Sequence, residues 1–295
     1  MPDLRDMQLL AALARHGHFA RAAAACGISQ PAFSARIRNL ELELGAPVVR
    51  RGNRFMGFTA EGEIALKWAR RMLADSDGLR QEMEAAKGAL SGRLSLGAVP
   101  TALAFAARIP ARLRAAHPGL RIQIWSLTSD EIRRGLEDFS LDAGVTYLDH
   151  PAPAASDGEP LYEERYVLLA PPRLAPRAEG TARWAEAAAL PLCLLTRNMR
   201  NRRILDGIFE RAVGRAPEPA METNGFTAAL AQVAAGAAAT IAPEMLADAL
   251  PLRPGPVRLA LTEPDARTPI GLLALERDPT PPAVRALLEA IRAAR

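Results

Sequence analysis

The 295 residues are 49% hydrophobic and 24% charged, the balance of a folded chain with room for two or three units. At this length a core forms without disulfides or metals. The formal net charge is only +4, but eight of the 37 Lys+Arg and four of the 33 Asp+Glu fall in residues 1–60, so the whole surplus sits there. A basic head on a neutral body is the charge footprint of nucleic-acid binding. Cys26 and Cys193 are flanked by apolar residues and read as two reduced core thiols rather than a redox pair. Asp3, Asp6 and the lack of a long apolar run predict no signal peptide or membrane span, hence a cytoplasmic protein.

Leu4, Met7, Leu10, Leu13 and Ala14 share one stripe at helical spacing and predict a first helix. A short second helix is expected from His18 to Cys26, followed by Gly27 at a sharp turn that needs positive φ. Ser29 is placed as an N-cap with Pro31 in the first turn. The third helix then runs to Leu44, burying Phe33, Ile37, Leu40 and Leu44, and Gly45 and Pro47 end it. Helix, glycine turn and a helix opening Ser-Gln-Pro-Ala make a helix-turn-helix. Gln30 can read adenine, and Pro31 and Ala32 can pack on a thymine methyl. Ser29, Ser34, Arg36 and Arg38 suit phosphate oxygens. Two short strands around Gly52-Asn53 form a wing, with Arg51 and Arg54 near its tip, where a narrow minor groove attracts cations. The bland alternative is a three-helix bundle with a solvated charged face, against which the helix start, the basic balance and the wing stand together.

His18–Ala23, then Ile28-Ser29-Gln30-Pro31-Ala32-Phe33-Ser34, then Ile37–Glu41 and Leu44-Gly45, with Thr59 and Gly62 beyond, resemble the head of the LysR family without a gap. The resemblance implies that Gln30, Pro31 and Ala32 face bases of double-stranded promoter DNA, Ser34 and Arg38 face phosphates, and Arg51 and Arg54 work from the wing. Three departures stand out: Ala35 where the family carries a long cation, Phe55 and Gly57 in a less basic wing, and Val48-Val49 before it.

From Ala60 to about Leu90 there is no Pro, and Ile64, Trp68, Met72, Leu79, Met83, Ala86 and Leu90 step by threes, fours and one seven. So long a stripe cannot be buried by the head alone and reads as a dimerisation helix, the alternative being a helix packed on its own body. A dimer suits an inverted-repeat DNA site. Gly88 and Ser91-Gly92 form a hinge. The chain thus divides into a winged helix-turn-helix at 1–59, a linker helix at 60–90 and a third part at 91–295.

That third part alternates strands and helices: strand 93–99, helix 101–116, strand 121–127, helix 129–136, strand 142–147, a parallel α/β arrangement. A strand within 161–171 crosses to a second lobe holding helix 183–189, strand 191–196, helix 202–213, helix 226–235 and strand 237–242. Strand 270–275 and helix 282–294 return to the first. Lobe I is expected at about 91–162 and 268–295, and lobe II at about 163–267. Gly92–Gly97 and the Asp-Ala-Gly-Val run at 142–145 resemble the LysR effector domain, which implies the two-lobed, type 2 periplasmic-binding-protein-like fold. In such a cleft Thr101, Thr128, Ser129 and Thr146 would face Thr196, Met199, Asn201, Arg202, Thr223 and Asn224. Hydroxyls, helix-start amides and one or two Arg suit a small anion such as a carboxylate. Helix capping is the equal alternative for any one of these Thr, and a solvated cation for Arg202 or Arg203. The run Met199–Ile204 and Glu222-Thr223-Asn224 are also similar to a branch near regulators of cyanate and formate metabolism.

The leading expectation is a homodimeric or homotetrameric transcription regulator tuned by a small molecule, with no cofactor and no metal. An enzyme, or a solute-binding protein of the same fold, is the alternative. Against the enzyme, His16, His18, His117 and His150 are scattered, and there is no GxSxG elbow, phosphate loop or metal-ligand spacing. Against the solute-binding protein stands the basic head.

Overall fold

A computed structural model describes residues 2–50, 55–149, 156–249 and 255–293. The head opens with α1 (Leu4–His16), capped by Asp3 and Asp6 in a reciprocal capping box. It continues with α2 (Phe19–Ala25) and α3 (Gln30–Leu44), joined through Gly27 at φ +69°. Leu9, Leu10, Leu13, Ala22, Phe33, Ile37 and Leu40 form its core. Three positions depart from expectation here. Leu44, in the last turn of α3, is 43% exposed, and Leu4, in the first turn of α1, is exposed too. Leu9, off the expected stripe, is fully buried because α1 packs on the next long helix as well as on α2 and α3.

That next helix is α4 (Ala60–Ala86), started by Thr59, whose hydroxyl accepts from the Gly62 amide at 2.9 Å. Gly62 lies so close to the preceding strand that a Cβ there would sit 1.9 Å from the Val48 carbonyl oxygen. Val49 and Phe58 pair antiparallel as the base of the wing, while its tip, with Arg51 and Arg54, lies outside the described residues. Near its far end α4 is tied to the body. The buried Gln81 accepts from the Ala283 amide at 3.1 Å and donates to the Arg93 carbonyl at 3.4 Å.

Lobe I contains β1 (Ser91–Ala98), α5 (Leu103–Ala106), α6 (Ile109–Ala116), β2 (Gly119–Ser126), α7 (Ser129–Glu137), β3 (Ala143–Tyr147) and β4 (Ser156–Glu164). The single helix expected over 101–116 is broken into a 3-10 turn and two helices. Pro110 explains the break, since its ring opposes the preceding turn and it has no amide to donate. Lobe II contains β5 (Tyr166–Ala170), β6 (Thr181–Arg183), α8 (Trp184–Ala188), β7 (Cys193–Leu195), α9 (Arg200–Val213), β8 (Met221–Thr223), α10 (Phe226–Ala234), β9 (Thr240–Pro243), α11 (Glu244–Ala249) and β10 (Val257–Thr262). The chain then returns to lobe I through β11 (Thr268–Leu275) and α12 (Pro282–Arg292).

The lobe I sheet has the order β2-β1-β3-β11-β4 and the main lobe II sheet β6-β10-β5-β9. In the lobe I sheet β1, β2, β3 and β4 all run one way and β11 runs antiparallel to its neighbours β3 and β4, so the sheet is mixed rather than parallel throughout. Each lobe has its own apolar core. The chain crosses outward at Arg165, between β4 and β5, and returns between β10 and β11. In register, Glu164 at the end of β4 stands opposite Thr268 at the start of β11. Both crossings therefore lie side by side, and they form the hinge.

Candidate functional site

Two regions gather the residues singled out from the sequence. In the head, Ser29 caps α3, its hydroxyl accepting from the Ala32 amide at 3.3 Å, while Gln30, Pro31 and Ala32 are exposed on the first turn. Ser34 is half-buried and Arg38 exposed. Arg36 is engaged by two carboxylates. Its Nε donates to Asp6 Oδ1 at 2.8 Å and its Nη2 to Asp3 Oδ2 at 3.0 Å, so the cation expected to meet phosphate instead ties α3 to the start of α1. The Asp6 amide and then Arg36 hold the Asp3 carboxyl below its usual range.

The head also contains a buried carboxylate the sequence reading passed over. Glu41 Oε1 accepts from the Val48 amide at 2.9 Å and the Val49 amide at 3.3 Å, which fixes α3 to the wing. Phe55 has a structural role as well. Its ring meets Phe19 and Phe58 edge-on, with centroids 6.1 and 5.1 Å away, so an aromatic where the family favours Arg anchors the wing to the head core. Along α4, Ile64, Trp68, Met72, Leu79 and Met83 are all exposed, Trp68 at 54%, and leave an apolar row open.

In the body, most of the hydroxyls proposed for the cleft have local partners. Thr128 caps α7 in a capping box with Glu131. Thr196 donates to Asn198 Oδ1 at 2.7 Å, Thr223 accepts from the Gly225 amide at 3.3 Å, and Asn224 is exposed. Met199 is buried in the lobe II core, with Ala104 of lobe I against that cluster. Thr146 donates to Ser129 at 3.0 Å as a buried pair. Arg202 is 1% exposed and fully engaged: it donates to Asp206 at 2.8 Å, to the Leu195 carbonyl at 3.1 Å and to Glu222. Arg200 pairs with Asp149 at 2.7 Å across the two lobes. An anion held by Arg202 is thus not what this arrangement provides, because two carboxylates already neutralise that guanidinium.

Thr101 and Asn201 do come together, on either side of Tyr147. The Tyr147 hydroxyl is 2.8 Å from Thr101 Oγ1 and donates at 3.2 Å to Glu164 Oε1, and Asn201 lies beside it. Tyr166, just past the crossing, bonds Thr268 at 2.9 Å and also faces Glu164, as does Tyr162. The three tyrosines of the whole chain therefore surround one glutamate. Glu164 is 1% exposed, and burial pushes its carboxyl up to about 7, against the opposing pull of the Thr101 and tyrosine hydroxyls. Burial likewise drives the Tyr147 and Tyr166 hydroxyls well above their ordinary range.

Among the described residues, the buried side-chain polar atoms without a partner are Tyr162 Oη, Glu164 Oε2, Arg200 Nε and both amide atoms of Asn201. All five lie at the end of β4 or in the first turn of α9. Unpaired polar atoms in so buried a place are costly unless something else binds there. Sequence reasoning found Thr101 and Asn201 but missed Glu164 and the tyrosines. The signal was available in outline, since Tyr162 and Tyr166 bracket an acidic pair in a chain with three tyrosines.

Residues 4–63 match the family described as bacterial regulatory helix-turn-helix protein, lysR family, and residues 87–295 the LysR substrate binding domain. The DNA-binding transcriptional dual regulator OxyR of Escherichia coli (strain K12) is 30% identical over 99% of this chain and 95% of its own length. The SDS degradation transcriptional activation protein of Pseudomonas sp. (strain ATCC 19151) is 41% identical over a shorter stretch, 49% of this chain and 48% of that protein. Among solved structures, a full-length OxyR variant from Pseudomonas aeruginosa superimposes with a TM-score of 0.75 at 24% identity, over 99% of this chain and 95% of that one. Full-length CbnR complexed with its target DNA superimposes with a TM-score of 0.73 at 24% identity, over the whole of both chains.

Proposed function

The chain belongs to the LysR family of bacterial regulators, and from that premise we propose that it is an oligomeric, promoter-binding transcription regulator controlled by a small polar molecule held between its two lobes. The observation that carries this reading is one chain with two separate devices: an exposed Gln30-Pro31-Ala32 helix start, and a hinge whose buried polar atoms lack partners. Gln30 reads a base, Arg38 meets a phosphate, and the apolar row on α4 pairs two copies so that two heads face the two half-sites. A molecule bound beside the crossings favours one angle between the lobes, to the extent that its affinity differs between the two arrangements.

The enzyme alternative is set aside, since the relatives named above are transcription regulators. Promoter binding also implies work in the cytoplasm, and among the described residues no helix is long and apolar enough to cross a membrane. Several relatives are named hydrogen peroxide-inducible genes activators. The cysteines of this chain do not suit that signal. A thiol that senses oxidant is exposed and easily ionised, whereas Cys193 is buried with its thiol pushed up by that burial, and Cys26 belongs to the head. The likeness of the 199–204 run to cyanate and formate regulators carries no part of this reading.

Fluorescence anisotropy tests it, with DNA from upstream of the protein's own gene against shuffled DNA at near-physiological salt. A preference of about a thousandfold or more is expected. Equal affinity for both overturns recognition of that promoter, and binding to neither overturns the DNA-reading head.

A further inference from the structure

We infer that the molecule bound between the lobes is a small amino compound, whose ammonium group meets Glu164 while an acceptor at its other end meets Asn201 and the start of α9. The inference rests on the reading of the hinge as the effector site and names the chemistry it takes.

One end is defined by Glu164. It is 1% exposed, its Oε1 is bonded by the Tyr147 hydroxyl and its Oε2 by nothing. The groups facing it are the Thr101, Tyr147, Tyr162 and Tyr166 hydroxyls, and none of them is a cation. The cations of the neighbouring helix start point elsewhere: Arg200 to Asp149, and Arg202 to Asp206 and Glu222. A buried carboxylate with one vacant oxygen and no cationic neighbour is matched by a donor that brings its own positive charge.

The other end is defined by α9. Its N-cap, Met199, makes no side-chain cap, so first-turn amides are left for an outside acceptor. A second, independent observation points the same way. Asn201 is 3% exposed on that turn beside the Tyr147 hydroxyl, yet neither its Nδ2 nor its Oδ1 meets a partner in hydrogen-bonding geometry. Arg200 Nε beside it is also buried and unpaired. Donor-seeking and acceptor-seeking atoms thus stand on opposite lobes, and one bipolar molecule satisfies both while bridging the hinge. A plain carboxylate serves the α9 end but places its charge near Glu164, where like charges repel.

The test uses two matched series on the full-length protein: alanine, lactate and propionate, then leucine, 2-hydroxy-4-methylpentanoate and 4-methylpentanoate. Thermal shift and titration calorimetry are read for the wild type, Glu164→Gln and Asn201→Ala. The amino member of at least one series is expected to raise the melting temperature and release heat, with the hydroxy member weaker and the plain acid without effect. Glu164→Gln should weaken the amino compound about tenfold or more, as loss of a charged partner in a buried site does, and Asn201→Ala should weaken it as well. If the plain acid binds as well as the amino compound and Asn201→Ala abolishes both, the cleft remains the effector site and the amino class is overturned. If no member of either series binds, the amino class is likewise overturned, while the reading of the protein as a regulator is judged separately by the promoter titration.

Discussion

The head and the hinge each bury a glutamate, and the two are treated in opposite ways. Glu41 accepts from two backbone amides of the residues that lead into the wing, so its burial completes a backbone account that would otherwise stay open. Glu164 has hydroxyl neighbours for one oxygen and nothing for the other, in a place where chain crossings meet. Satisfied burial of the first kind rigidifies a scaffold. Unsatisfied burial of the second kind stores instability at a site, and that is where a ligand gains most from binding. The contrast separates a presentation device, which must hold one shape, from a sensing device, which must accept two.

The widest separation is expected from removing the satisfied carboxylate. Glu41→Ala leaves the Val48 and Val49 amides without their acceptor, and at roughly 2 kcal/mol for each orphaned donor the head loses about 4 kcal/mol. Thermal unfolding followed by circular dichroism should show the head melting ahead of the body. If the melting temperature is unchanged, Glu41 is not what joins α3 to the wing.

Glu164 should behave in the reverse sense. Its carboxyl rises from 4.5 to about 7 on folding, so between those values the folded state binds the proton more tightly. Stability therefore falls as pH rises through that window, and above pH 7 the full penalty is present, on the order of 3 kcal/mol. Glu164→Gln, which cannot ionise, should flatten this slope and melt higher than the wild type at pH 8 but not at pH 4. A variant less stable than the wild type at pH 8 would show that Glu164 is satisfied after all.

The smallest effect sharpens the picture on the DNA-reading face. Arg38→Ala should lower the slope of log affinity against log salt by about one, the mark of one lost phosphate contact. Arg36→Ala should leave that slope unchanged, because Arg36 is engaged with Asp3 and Asp6. Equal loss from both would mean that Arg36 leaves its carboxylates when DNA arrives.

The same contrast explains what could be read from the sequence. The head was legible because its signals are local: Ser29 at a helix start, Gly27 and Gly45 at helix ends, apolar residues at helical spacing. The linker stripe was legible for the same reason over most of its length: Ile64, Trp68, Met72, Leu79 and Met83 are left uncovered, whereas Leu90 falls beyond the end of α4 and is buried in the lobe I core. The two-lobed α/β class was legible from alternating periods. The short pieces β6, β8, β10 and α11 were not, since three to six residues carry too little period to declare themselves. Nor was the fate of individual polar residues. Arg36 and Arg202 look alike as free cations in sequence, and only the fold brings Asp3 to one and Glu222 to the other. Glu163 and Glu164 are neighbours in sequence, yet strand alternation sends one to solvent and the other among tyrosines.

The two bonds of Gln81 turn α4 into a lever. Because that side chain holds the Arg93 carbonyl and the Ala283 amide together, the far end of the helix is clamped to lobe I and must turn with it. Arg70 and Asp75 also bond Asp138 and Arg277 of lobe I, so the free arm runs from Arg70 back to Thr59, roughly 16 Å at about 1.5 Å per residue. A tilt of about 10° of lobe I and the helix fixed to it then swings the end of that arm by roughly 3 Å, nearly one of the 3.4 Å steps between successive nucleotides. A movement too slight to see at the hinge becomes, at the end of the lever arm, a change in which base pairs the protein can reach.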